Sequence, residues 1–127
     1  MEAINTPENL LLRFIITPRE LNTRGTMFGG SMLYYFDLAA PQLALDVAGG
    51  PVALVAVNNV VFKAPIWPND RVNIYGTITK TGTTSITIYL EAYRQDLVNK
   101  GTEEFAASGE MVFVAIDGEH KPKAIKK

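Results

Sequence analysis

A chain of 127 residues, 47% of them hydrophobic and 20% charged, has the size of one domain and enough apolar material to build a core. It has no cysteine and a single histidine, His120, which excludes a disulfide framework, a cysteine nucleophile, dithiol redox chemistry and a multi-histidine metal site. Four of the 12 basic residues (Lys121, Lys123, Lys126, Lys127) fall at the C-terminal end, so residues 1–120 hold 8 basic against 13 acidic groups, an acidic body that argues against nucleic-acid binding.

In chain order, Asn9 to Thr17, with Leu10, Leu12, Phe14 and Ile16, predicts a strand closed by Pro18. A polar loop follows, containing Asn22, Thr23, Arg24 and Gly25. From Gly29 to Ala48 runs an apolar segment too long for a strand, and Gly49-Gly50-Pro51 ends it as a helix ends. Its residues are apolar nearly all round, which predicts a helix buried on most sides. Val52–Phe62 is a β-branched run, Arg71–Lys80 and Thr84–Arg94 alternate, and Glu104–Asp117 is a last strand. Thr81-Gly82-Thr83 and Asp96–Gly101 supply turns.

The order β-α-β-β-β-β predicts an α+β fold in which an antiparallel sheet wraps one long central helix, with the last four strands as a meander. One sheet face is then left to cover, which suggests a homo-oligomer. A single domain over residues 1–127 is expected, with 121–127 as a basic, solvated tail. No signal-peptide layout and no membrane span are evident, so a soluble, cytoplasmic protein is expected, without membrane or nucleic-acid partners.

Asp37 is the most informative residue. It lies inside the apolar helix with Leu33, Tyr34, Ala40 and Pro41 at i±3 and i±4, and none of these can pair with it. A carboxylate buried without a partner is costly, so Asp37 is exposed after all, paired from another chain, or a functional base. Gly29-Gly30 opens the helix, where free N–H groups and the helix dipole suit a developing oxyanion, although a tight turn into the helix explains the pair equally simply. Asn22 offers an amide donor and acceptor, and on its own would be turn chemistry. His120 follows a turn and reads as solvated, Tyr34 and Tyr35 as core, and Tyr89 and Tyr93 as outer sheet face.

Taken together, Asn22-x-x-Gly25-x-x-Phe28-Gly29-Gly30 followed by Asp37 resembles the hotdog-fold acyl-CoA thioesterases, in the branch of short bacterial acyl-CoA hydrolases related to the brain-type enzyme. The resemblance covers roughly residues 10–118 and continues in Phe62-x-x-Pro65, Asp70, Gly82-x-x-Ser85 and Val114–Gly118. It implies a hotdog fold and hydrolysis of acyl-CoA to free acid and CoA, with no cofactor and no metal. It implies Asp37 as general base or nucleophile, Asn22 positioning water and thioester, and the N–H of Gly29 or Gly30 polarising the carbonyl. It further implies a site formed between two chains, dimers that assemble into hexamers, and CoA lying along Gly82-Thr83-Thr84-Ser85. Thr83 stands where an arginine is frequent, so Lys63, Lys80, Ser85 or the tail would grip the phosphates. Asn58 and Asn69 replace an acid and a glycine, and Pro41 predicts a kink at Asp37. A dehydratase of the same fold would need a histidine near the helix. A non-catalytic module that binds acyl-CoA is the alternative.

Overall fold

In a computed structural model that describes residues 3–99 and 101–125, the long apolar segment forms one helix, α1 (Gly29–Ala48). Gly49 ends it in the left-handed region, at φ 68°, and closes its N–H on the Leu45 carbonyl at 2.9 Å. Five strands surround it: β1 (Leu10–Ile15), β2 (Val52–Phe62), β3 (Asp70–Thr81), β4 (Ser85–Asp96) and β5 (Glu104–Ala115). They form one antiparallel sheet in the order β1-β3-β4-β5-β2. The expected helix-in-sheet architecture is therefore present, with strand boundaries shifted by one or two residues.

The four-strand meander is corrected. Only β3-β4-β5 is a meander, whereas β2 lies at the far edge and pairs with β5, from Val52 opposite Ala115 to Phe62 opposite Ala107. The connection from β2 to β3 carries Pro65 and Pro68, which cannot continue a ladder, and it crosses the end of the sheet instead. It is tied down by Lys63 and Ala64, whose N–H groups donate to the Ala106 carbonyl, and by Met27, which donates to the Ile66 carbonyl. Asn69 adopts φ 70° there, a left-handed conformation that asparagine and glycine tolerate best.

The core lies between α1 and the concave face of the sheet. Ile86, Ile88, Leu90 and Ala92 of β4 are fully buried, as are Phe36, Ala39, Ala40 and Ala44 of the helix. Alanines let the helix approach the sheet closely, and Gly76 of β3 completes the fit. A Cβ there would lie 2.7 Å from Leu11 Cδ1 and 3.2 Å from Leu90 Cδ2. The convex face carries a polar network that buries Asn73: Arg13 Nε donates to its Oδ1 (2.8 Å), and its Nδ2 donates to Gln95 Oε1 (3.0 Å) and Glu103 Oε2 (2.7 Å).

Two further expectations change. The helix is not buried on most sides, because Tyr34, Asp37, Leu38 and Leu45 share one exposed face. These positions recur at helical spacing, and the sheet of a single chain curls too little to reach them. The tail is not wholly solvated either. Lys123 N–H donates to the Ala115 carbonyl and Ile125 N–H to the Thr83 carbonyl, both at 2.8 Å, with Ile125 buried and Lys121 and Lys123 exposed. Lys126 and Lys127 lie outside the described residues. Among those residues, no helix is long and apolar enough to cross a membrane.

Candidate active site

The loop before α1 is a closed hydrogen-bonded unit organised by Asn22. Its Oδ1 accepts the N–H of Arg24 (2.8 Å) and of Thr26 (3.2 Å), while its Nδ2 donates to Thr26 Oγ1 (3.0 Å). Gly25 makes the tight return possible with φ 80°. Asn22 thus performs the turn chemistry expected of a loop asparagine, and this fixes where its side chain sits. The chain then enters α1 through Phe28, whose N–H donates to the Glu20 carbonyl (2.7 Å).

No side chain caps α1 at Phe28. Ser31 and Met32 donate back to the Phe28 carbonyl, but Gly29 and Gly30 precede the first helical acceptor and have none four residues behind them. Neither glycine has a positive φ, so the backbone does not demand glycine at either position. Uncapped N–H groups at the positive end of a 20-residue helix make a site for negative oxygen.

That helix start opens into a cavity of about 300 Å³ lined by Asn22, Gly29, Phe62 and Ala106 among others. Apolar side chains, including Met27, Met32 and Ile66, form most of its wall. Asn22 and Gly29, singled out in the sequence, therefore meet at one cavity. Gly30 faces a second, wider cleft of about 880 Å³ on the other side of Phe28, with Arg19, Tyr34 and Tyr35.

Other sequence candidates lie elsewhere in the chain. Asp37 is exposed on the outer face of α1 and lines neither cavity. Eight residues of helix separate it from Gly29, about 12 Å along the axis. Gly82, Thr83, Thr84 and Ser85 form the β3–β4 turn, closed by Gly82 N–H to the Ser85 carbonyl at 2.8 Å. Ser85 pairs with Val114 at one end of β4, and Ala92 pairs with the cavity residue Ala107 at the other. Seven residues of strand place that turn about 23 Å from the cavity. Lys63 is exposed between the cavity residues Phe62 and Ala64, and Lys80 is exposed near the remote turn. Within one chain the parts do not converge: Asn22 and Gly29 share the cavity, while Gly30, Asp37 and the Gly82–Ser85 turn each lie apart from it.

Some residues were missed in the sequence. Arg24 lines the cavity as its one charged residue. Its place inside the Asn22-x-x-Gly25 segment was the available signal. Glu20 is buried behind Phe28, where its carboxylate accepts the N–H and the hydroxyl of Thr17, both at 2.8 Å. Burial works to raise its pKa, but the Thr17 and Tyr35 hydrogen bonds outweigh this and hold it below the ordinary value. Tyr35, stacked on Phe14 with ring centroids 3.9 Å apart, is pushed up by burial and by Glu20. On the convex face, burial and Glu103 push Tyr75 up to about 12, and burial and Glu91 do the same to Tyr89.

A helix start that can hold an oxyanion, with an amide beside it and no thiol or imidazole nearby, suits attack on an acyl group by carboxylate-activated water. Comparison with known proteins agrees. The Thioesterase superfamily profile matches residues 24–99. The acyl-CoA thioester hydrolase YciA of Salmonella typhimurium is 32% identical over 124 residues, 95% of this chain and 93% of that protein. The hexameric thioesterase of Yersinia pestis superposes with a TM-score of 0.89 at 30% identity, covering 94% of this chain and 97% of that one. An acyl-CoA hydrolase of Staphylococcus aureus, solved with butyryl coenzyme A, gives a TM-score of 0.83 at 29% identity, covering 90% and 69%. Fold and site together define a hotdog thioesterase. More narrowly, the chain belongs to the acyl-CoA thioester hydrolase family.

Proposed function

We propose that the protein hydrolyses acyl-CoA thioesters to the free acid and CoA, in a site that takes its parts from two copies of the chain. The observation that carries this reading is the joint presence of Asn22 and the uncapped Gly29 N–H at one cavity, while Asp37 stands about 12 Å along the helix, facing out. The thioester carbonyl lies against the N–H of Gly29 or Gly30, which stabilises the tetrahedral oxyanion. Asn22 of the same chain orients the thioester and the water. Asp37 of the second chain takes the proton from that water as it attacks, or attacks the thioester carbon directly to give a mixed anhydride that the water then hydrolyses. The thiolate of CoA departs and is protonated.

Support for a second copy comes from what one chain leaves uncovered. Tyr34, Leu38 and Leu45 make an apolar stripe around Asp37, and Leu54, Val55, Val57 and Phe62 are exposed on β2, an edge strand. An exposed apolar edge strand invites pairing with another strand. The proposal includes a homodimer that builds to a hexamer, the state of the Yersinia pestis relative. A two-chain site also gives the remote turn Gly82–Ser85, with Lys63 and Lys80, a route to the CoA moiety. A cytoplasmic setting completes the reading, one that a chain without cysteine suits.

The test is thiol release from acyl-CoAs of graded chain length. Wild type turns over at least one of them, and Asp37→Ala loses about 10²-fold or more of that rate. An enzyme inert on every chain length that still binds CoA tightly would replace hydrolysis by a binding function. Undiminished turnover by Asp37→Ala would remove the assigned base.

A further inference from the structure

The cavity at the helix start is apolar in its wall but not at its rim. Arg24 is the single charged residue that lines it. Its backbone is held in place, and its side chain is exposed. The backbone N–H of Arg24 is held by Asn22 Oδ1 at 2.8 Å, at the tip of a loop that Gly25 closes with a left-handed turn. Among the described residues, ion pairs are formed by Arg94 alone, with Asp70 and Glu104, so the guanidinium of Arg24 has no carboxylate partner. Its neighbours at the cavity (Asn22, Thr26, Gly29, Phe62) carry no charge to occupy it.

We propose that Arg24 is the anion-receiving residue of this site, pairing with a negatively charged oxygen group of the bound thioester. The proposal rests on the hydrolase reading and adds a substrate class to it. A guanidinium presents a planar fork of donors that matches a carboxylate or a phosphate in bidentate fashion. Two groups on acyl-CoA substrates have this chemistry: the terminal carboxylate of a dicarboxylic acyl chain, and the phosphates of CoA. The cavity volume, about 300 Å³, is at the small end for ligand sites and suits a short acyl group. Arg24 at the rim then meets whatever charge that group or its carrier presents.

The experiment compares wild type, Arg24→Gln and Arg24→Lys on three thioesters: glutaryl-CoA, pentanoyl-CoA and S-pentanoyl-pantetheine, which lacks phosphate. If Arg24 receives the acyl carboxylate, Arg24→Gln lowers the glutaryl-CoA to pentanoyl-CoA ratio of kcat/KM about 10-fold. If it receives a CoA phosphate, the ratio of pentanoyl-CoA to pentanoyl-pantetheine falls about 10-fold instead. In either case Arg24→Lys recovers part of the loss by restoring charge without the fork. The proposal is overturned if neither ratio moves by more than about twofold, a uniform loss on all three esters included, since a merely structural arginine would affect them alike. Should wild type hydrolyse none of these three esters, the chain-length series decides the hydrolase reading, and the same two ratios formed from calorimetric Kd values decide Arg24 by themselves.

Discussion

Mixing two inactive variants tests the two-chain site directly. Asn22 and Gly29 share a cavity, and Asp37 lies eight helical residues beyond Gly29, exposed and outside that cavity. The rise from Gly29 to Asp37, about 12 Å, is too long for a thioester held by the Gly29 N–H to meet a water on the Asp37 carboxylate of the same chain. In a dimer with crossed sites, each site uses Asn22 from one chain and Asp37 from the other. A mixed dimer of Asn22→Ala with Asp37→Ala then has one site lacking both residues and one site that is intact. Random reassortment at equal amounts makes half of the dimers mixed, so about one quarter of all sites are restored. Co-expression with two affinity tags, or unfolding and refolding the mixture, supplies the reassorted protein, and thiol release gives the rate. The expected activity is about 25% of wild type, against about 1% or less for Asp37→Ala alone. Activity of the mixture no higher than the mean of the two parents would place both residues in one chain and refute the crossed geometry.

The remaining predictions concern the groups that hold the site in place. Arg94 Nε and Nη2 meet the two oxygens of Asp70, at 2.5 and 2.9 Å, and Asp70 also accepts the Trp67 N–H at 2.8 Å while only 3% exposed. Arg94→Met strands that carboxylate and costs about 3–5 kcal/mol in denaturant unfolding; a loss under about 1 kcal/mol would mean that Asp70 regains solvent. Glu20 is depressed in the folded state, so its stabilising contribution is complete above the unfolded carboxylate value and disappears as pH falls through the lower folded one. The stability gap between wild type and Glu20→Gln is therefore constant near neutrality and closes in acid. A gap that does not vary between pH 7 and pH 3 would refute the assignment, where these pH values are only about the ends of the useful range.

How much of this was legible in the sequence follows from the range of each signal. The helix ends were fixed by local chemistry, the Gly49-Gly50 stop above all, and the structure places them at Gly29 and Ala48. The alternation of Ile86, Ile88, Leu90 and Ala92 named the buried face of β4 because period 2 is a property of the strand itself. The position of β2 was not legible. Its pairing with β5 depends on a crossover, and nothing in a nearly unbroken run of β-branched residues says which edge it joins. The expectation of a helix buried on most sides failed for a related reason. An apolar sequence on both sides of a helix shows that both sides will be covered, not that one chain covers them both. The Asn22 block was readable as a unit, yet the cavity beside it is built from Phe62 and Ala106, residues far apart in sequence, and no spacing rule brings them to Gly29.

The charge asymmetry of the sequence now takes a more definite form. A polyanionic substrate approaching an acidic body needs cations that the fold has not already committed. Arg94 is bound to Asp70 and Glu104, Arg13 to Asn73, and Arg71 to Gln95. Arg13 and Arg71 belong to the network that buries Asn73 and Arg94 is held by two carboxylates, and none of the three lines the cavity. Lys121 and Lys123 follow a strand end that is pinned to the remote Gly82–Ser85 turn, so their charge is anchored there instead of trailing in solvent. Arg24 and Lys63 stand at the cavity, and Lys80 stands with the tail lysines near the turn. These two positive regions lie about 23 Å apart along β4. An acyl-CoA is extended, with its thioester at one end and its phosphates at the other. In the proposed two-chain site, a substrate held at the helix start of one chain meets the turn of another, and phosphate binding would then require assembly as catalysis does.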